Sequence, residues 1–175
     1  MNHFFLFLLG IKLVDWYDTQ QALFSSKRFD YIIPKWLYDQ LNTEFHFDLD
    51  PCTSEDNPLG TKYFFTEKDD GLKQDWSFAK SVFINPPYGR EVSDWVKKAS
   101  DSARSNSNQA VVMLIAGRTD TKWFHDFIYN VNADQFRPNV KVRFLKRRIR
   151  FELKSEGVKQ NPAFPSIIVI FQNNK

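Results

Sequence analysis

Short, near-continuous apolar runs recur along this chain at Phe45 to Leu49, Ser81 to Ile84, Ala110 to Ile115 and Ser166 to Phe171. Runs of that length suit strands covered on both faces, which is the situation of a buried, mostly parallel sheet. The segments between them carry a helical period. Trp36, Leu37 and Leu41 follow Pro34, expected at a first-turn position. Val92, Trp95, Val96, Ala99 and Ala103 form a second stripe, and Trp123, Phe124, Phe127 and Ile128 follow a cap expected at Thr119-Asp120. Strands alternating with helices predict an α/β domain with a doubly wound, mostly parallel sheet and an antiparallel C-terminal edge.

At 175 residues and 20.7 kDa, the chain has the size of one ordinary domain, able to bury about two-thirds of the surface its unfolded form exposes. Its 42% hydrophobic and 26% charged residues exclude wholesale disorder, a fibrous repeat and a membrane bundle. Cys52 is the single cysteine, and the histidines stand scattered at positions 3, 46 and 125. An internal disulfide is therefore excluded, no metal is expected, and a reducing, intracellular setting fits. The apolar opening from Phe4 to Val14 is too short to cross a bilayer, which takes roughly 20 residues, and it lacks the flanks of a secretion signal. The polar stretch Ser100 to Asn108 reads as a helix end and surface loop rather than a domain linker.

The formal charge of +3 says little about partners, but its distribution says more. Between Val140 and Lys154, seven cations (Lys141, Arg143, Lys146, Arg147, Arg148, Arg150, Lys154) face one acid, Glu152. The apolar residues there sit on even positions first (Val140, Val142, Phe144) and odd ones later (Ile149, Phe151, Leu153). A strand cannot exchange its faces without interruption, so a hairpin or bulge is expected near Lys146-Arg147. Two readings of the charge stand open: a solvated edge strand guarded by basic residues, or a phosphate-contacting rim.

Asn85-Pro86-Pro87-Tyr88 follows directly on the run Ser81 to Ile84 and precedes Gly89. Ligands of open α/β sheets gather at the carboxyl ends of strands, where this tetrapeptide is expected to lie. The prolines stiffen the loop and remove backbone donors, leaving acceptor carbonyls beside the Asn85 amide oxygen. Such a pocket suits a planar conjugated amine, whose hydrogens would bond to the Asn85 side chain and the Pro86 carbonyl while Tyr88 stacks on the attached ring. Taken alone, the same four residues can equally form a turn with no chemistry.

Asp48-Leu-Asp-Pro-Cys52, Gly71-Leu-Lys-Gln-Asp-Trp76, Phe83-Ile-Asn-Pro-Pro-Tyr-Gly89, Arg118-Thr-Asp-Thr-Lys-Trp-Phe-His125 and Arg148-Ile-Arg-Phe151 occur in an order that resembles the phage-type DNA N-6-adenine methyltransferase (Dam) family. The likeness runs from about Thr19 to Phe171. It implies a Rossmann-like, S-adenosylmethionine-dependent methyltransferase domain over 19–175, preceded by an extension over 1–18. The implied reaction is methyl transfer to the exocyclic amino group of adenine in double-stranded DNA, after base flipping. It also implies a monomer from a phage or prophage, at work in the cytoplasm of a bacterium or infected host without membrane or metal.

By position, Asn85, Pro86, Pro87 and Tyr88 are the implied catalytic set. No G-x-G-x-x-G follows the first strand, and Asp50-Pro51-Cys52 looks like the variant cofactor loop in its place. The resemblance implies that Asp50 holds the methionine ammonium, that Pro51 and Cys52 meet the amino-acid end, and that Asp75 accepts from the cofactor adenine. Pro34 joins this cofactor set; Arg118, Lys146, Arg147, Arg148 and Arg150 are the implied DNA contacts. A lone cysteine is more often packed beneath a loop than a nucleophile, and Asp75 reads equally as a turn carboxylate. Two positions depart from the pattern. Tyr31-Ile-Ile-Pro34 stands where Trp-x-Thr-Pro is common, removing a hydroxyl near the cofactor, and Arg147-Arg148 replaces an expected Gly-Arg pair. The alternatives are an amino-methyltransferase acting on RNA or a protein glutamine, and a DNA-binding relative without catalysis.

Overall fold

The computed structural model describes residues 31–106, 109–153, 159–160 and 164–173. The expected extension over 1–18, the start of the domain at Thr19 and the cation Lys154 lie outside the described residues. So do residues 107–108 of the polar stretch, whose first part closes a helix as expected.

Six strands form the central sheet: β2 (Leu49–Asp50), β3 (Tyr63–Phe64), β4 (Ser81–Ile84), β5 (Ala110–Ala116), β8 (Val140–Phe144) and β11 (Ser166–Gln172). Their order is β3-β2-β4-β5-β11-β8. The first four run parallel, and β11 is antiparallel to both β5 and β8. The last strand is thus antiparallel as expected, yet it lies inside the sheet, and β8 forms the edge beyond it. The fold is mixed α/β with a mostly parallel central sheet.

Both faces of the sheet are covered at its centre, which explains why β4, β5 and β11 are apolar along nearly their whole length. Phe83, Val112, Leu114, Ile168 and Ile170 point to one face and meet Leu37, Tyr38 and Leu41 of helix α1 (Lys35–Phe45). Their sequence neighbours Val82, Ile84, Val111, Met113, Ile115 and Val169 point to the other face, against Val92, Trp95, Val96, Ala99 and Ala103 of α2 (Val92–Ser105). Phe124 of α3 (Lys122–Phe127) and Ile128 extend that second layer. The alternation of faces along each strand divides one apolar run between two cores. Asp48 fixes the registration of two of these strands: its carboxylate accepts the backbone N–H groups of Lys80 and Ser81, each at 3.1 Å.

Several expectations need correction. The run from Phe45 does not begin a strand, because Phe45 ends α1. His46 takes a left-handed conformation (φ 52°), and the Asn42 side chain accepts the Phe47 N–H at 2.7 Å, so the pairing residues are only Leu49–Asp50. Trp36 is not part of the buried helical face; it stands 62% exposed. Pro34 occupies the N-cap with extended ψ (127°) rather than the first turn, and α3 is capped by Thr121 rather than at 119–120.

The parity change in the basic stretch marks neither a hairpin nor a bulge. Over residues 145–150 the chain leaves the central sheet and enters a second one, where β9 (Phe151–Leu153) pairs antiparallel with β1 (Tyr31–Ile32) and β10 (Lys159–Gln160). The faces exchange because the two halves answer to different cores. A separate hairpin, β6 (Tyr129–Asn130) with β7 (Gln135–Phe136), follows α3.

Candidate functional site

Because β2, β4 and β5 run parallel, their carboxyl ends lie along one edge of the sheet, joined by the start of β11. That edge gathers Asp50, the last residue of β2, with Asn85 to Tyr88 and Arg118 on the loops leaving β4 and β5. Pro86 and Pro87 are buried, Asn85 and Tyr88 are half-buried, and Gly89 and Arg90 are exposed, so the loop is anchored at its centre and open at its end. The Tyr88 ring meets Phe151 edge to face at 5.9 Å between centroids, and it packs in the same cluster as Leu145. The second sheet therefore backs the Asn85–Tyr88 loop.

Asp50 is buried together with Pro51, Cys52 and Thr53. Its carboxylate accepts the Cys52 N–H at 3.0 Å, and Thr53 also bonds to it. Burial dominates over these two bonds and pushes the Asp50 pKa up to about 7. No cation among the described residues is paired with it. Tyr38 of α1 lies near enough for the Asp50 charge to add to burial in raising its phenol to about 12. Burial, followed by the charges of Asp50 and Glu91, holds the Cys52 thiol well above its ordinary range. Such a thiol stays protonated, which fits a packed residue and not a nucleophile.

A contact that sequence reasoning missed supports this loop from behind. A side chain at Gly71 would place its Cβ 1.9 Å from the Pro51 carbonyl oxygen and 3.1 Å from the Trp95 ring, so only glycine lets the two backbones meet. Trp76 donates its indole N–H to the Gly71 carbonyl at 3.0 Å, and Lys98 donates to the carbonyls of Leu72 and Gln74 at 2.7 and 2.6 Å. The glycine of Gly71-Leu-Lys-Gln-Asp-Trp76 is the sequence signal for this contact.

The structure does not bring Asp75 to Asp50. Asp75 lies toward the amino ends of β4 and β5, lining a shallow groove of about 640 Å³ with Asn106 and Gln109. Its two oxygens accept the Ser77 N–H at 2.9 Å and the Ser77 hydroxyl at 2.7 Å, and these bonds hold its pKa below the usual carboxylate range. Pro34 caps α1, whose Tyr38 feels the Asp50 charge. It lines an open groove of about 800 Å³ with Lys35, Trp36 and the basic stretch Lys146, Arg147, Arg148 and Arg150. The four expected basic residues thus come together, joined by Lys35 and Trp36, which sequence reasoning did not assign. Arg118 is exposed at the end of β5, with its guanidinium 5.0 Å from the Phe164 ring centroid and 3.8 Å from Asp120. Among the described residues no cluster of metal-ligating side chains occurs, and no helix is long and apolar enough to cross a membrane.

The arrangement sets a half-buried amide and aromatic ring beside a buried acidic loop, with Phe151 linking the ring to the stretch that lines the cationic groove. The model of the family described as DNA N-6-adenine-methyltransferase (Dam) matches residues 20–175. The DNA N-6-adenine-methyltransferase of Haemophilus phage HP1 (strain HP1c1) is 28% identical over 141 residues, covering 79% of this chain and 76% of the relative. That of Escherichia phage T1 is 36% identical over 78 residues, covering 45% of this chain and 31% of the longer phage protein.

Proposed function

The chain belongs to the DNA N-6-adenine-methyltransferase (Dam) family, and on that premise we propose that it transfers a methyl group from S-adenosylmethionine to the exocyclic nitrogen of a flipped adenine in double-stranded DNA. It is an adenine-specific DNA methyltransferase, and its family implies a methyl donor. The observation that carries the finer reading is the meeting of the Asn85–Tyr88 loop and the buried Asp50 loop at one edge of the sheet.

The acidic loop suits the proposed donor. Asp50 is a buried carboxyl group without a cationic partner among the described residues, and a methionine ammonium would supply the missing countercharge. The backbone of Pro51 and Cys52 borders the same position, supported by Gly71. When bound, S-adenosylmethionine supplies an electrophilic methyl group on a sulfonium. The task of the chain is then placement, which by itself can account for several kcal/mol of the barrier.

Adenine in a duplex holds its amine in the base pair, so the nucleotide must leave the stack at a cost of a few kcal/mol. In this reading Tyr88 offsets that cost by stacking, a contact worth about 1–3 kcal/mol per base. Phe151 stands edge-on to the Tyr88 ring and packs against it. The Asn85 side-chain oxygen and the Pro86 carbonyl accept the two amine hydrogens. As those bonds strengthen, the nitrogen lone pair leaves conjugation with the ring and turns toward the methyl carbon. The basic groove and Arg118 grip phosphates and orient the duplex without reading its sequence.

Transfer of tritiated methyl groups, compared on DNA, RNA and protein acceptors, tests the reading. Label on DNA adenine is expected, and Asn85→Ala should reduce turnover by several orders of magnitude while cofactor binding persists. Label on RNA or glutamine instead, or full activity in Asn85→Ala, contradicts it.

A further inference from the structure

The indole of Trp36 is unexplained by packing. Leu37, Tyr38 and Leu41 bury the inner face of α1, and Trp36 points away from them at 62% exposure. Its ring has no aromatic or cationic partner among the described residues, although Lys62, Lys98, Arg118 and Arg143 each cover another ring. It stands instead in the groove of about 800 Å³ whose other lining includes Lys35, Lys146, Arg147, Arg148 and Arg150 and no carboxylate. Lys35 is itself held by Asp39 at 2.7 Å. The groove is linked to the Asn85–Tyr88 loop through Phe151, which meets the Tyr88 ring and directly follows the lining residue Arg150, and Leu145 of the lining packs on the same core cluster as Tyr88.

An open aromatic face among phosphate-binding cations is the arrangement by which proteins hold unpaired nucleotides: cations track the backbone while the ring takes a base. A base inside an intact duplex has both faces covered by its neighbours and offers nothing to an indole. The ligand of Trp36 therefore has a face laid bare. We infer that Trp36 stacks on a DNA base neighbouring the target adenine, a base uncovered when the target leaves the helix, while the surrounding cations hold the phosphates on either side. This rests on the reading of the Asn85–Tyr88 loop as the site of adenine methylation, and it adds a second point of opening beside it.

The test uses the full chain and duplexes containing the methylated site, located first by mapping methylation with the unaltered protein. 2-Aminopurine replaces each base flanking the target in turn, and its fluorescence reports stacking. The unaltered protein should quench one flanking position. Trp36→Ala should lose that quenching and weaken DNA binding about 5- to 150-fold, with the salt dependence of affinity unchanged. Trp36→Phe should keep most of both. Quenching and affinity that survive in Trp36→Ala overturn this inference while leaving methylation intact. A lower salt slope in Trp36→Ala also overturns it, since the residue would then act through its charged neighbours. An unaltered protein that neither binds nor methylates DNA overturns the underlying reading instead.

Discussion

Asp50 shows how far a single residue's chemistry depends on its surroundings. As a free side chain it is ionised well below neutrality, but burial lifts its pKa to about 7, and the bonds from Cys52 and Thr53 only partly oppose the shift. A carboxyl group with a raised folded-state pKa prefers the protonated form, so it costs stability once pH passes its unfolded value near 4. The cost grows until pH reaches about 7 and is constant above it, where it amounts to on the order of 4 kcal/mol. Asp50→Asn should therefore raise the thermal midpoint at pH 8 and leave it nearly unchanged at pH 4. A midpoint that responds equally at both would show that Asp50 is not desolvated. Binding of S-adenosylmethionine should follow the opposite trend, because its ammonium needs the ionised carboxylate. Calorimetry should show affinity falling about tenfold per pH unit below 7, with no such slope in Asp50→Asn. The pairing of Asp50 with a proline and a cysteine was legible in the sequence, as was the acceptor-rich Asn85–Tyr88 loop. The neighbouring phenol of Tyr38 was not, because helix period assigns residues to a face and cannot say which loop that face meets.

Among elements, the loop from Gly71 to Trp76 joins helix α2 to the Asp50 loop. Lys98 holds its carbonyls from one side and lies over the Trp76 ring at 4.8 Å, Trp76 holds Gly71, and Gly71 lies against Pro51. Gly71→Ala forces a backbone shift, since the clash is with a carbonyl rather than a pliable side chain. A loss of about 1–3 kcal/mol is expected, together with weaker cofactor binding. Lys98→Met should likewise lower the thermal midpoint, by a few degrees, because two part-buried carbonyls lose a charge-assisted donor. Unchanged stability and cofactor affinity in both variants would show that the Gly71–Trp76 loop does not brace the Asp50 loop. Helices α1 to α3 and strands β4, β5 and β11 were legible because each carries its own period or an unbroken apolar run. Strand β2 was misplaced by several residues, since a left-handed His46 and a single Asn42 bond decide where the helix stops. The exchange of sheets after β8 was visible only as a parity change, which a strand pattern records without naming its cause.

For the whole molecule, a net charge of +3 hides a strongly cationic face. Five of its cations line one groove without a carboxylate, so the field there is far larger than the total suggests. Replacing Arg147 and Arg148 together by Ala should lower the slope of log affinity for DNA against log salt by close to 2, with little effect on cofactor binding. A slope that stays the same would mean that these two side chains do not meet phosphate. The amino-acid sequence by itself determined the α/β class, the strand before the Asn85–Tyr88 loop, the acidic Asp50 loop and the density of basic residues near the C-terminus. Those properties are local: period, apolar run length and proline stiffness act over a few neighbouring residues. Only the tertiary structure decided that Lys35 and Trp36 join a basic stretch more than a hundred residues away, that Gly71 meets Pro51, and that Asp75 turns back on Ser77 instead of reaching Asp50. Those pairings arise from strand order and from helices packed across two faces of a sheet, and no single segment carries that information.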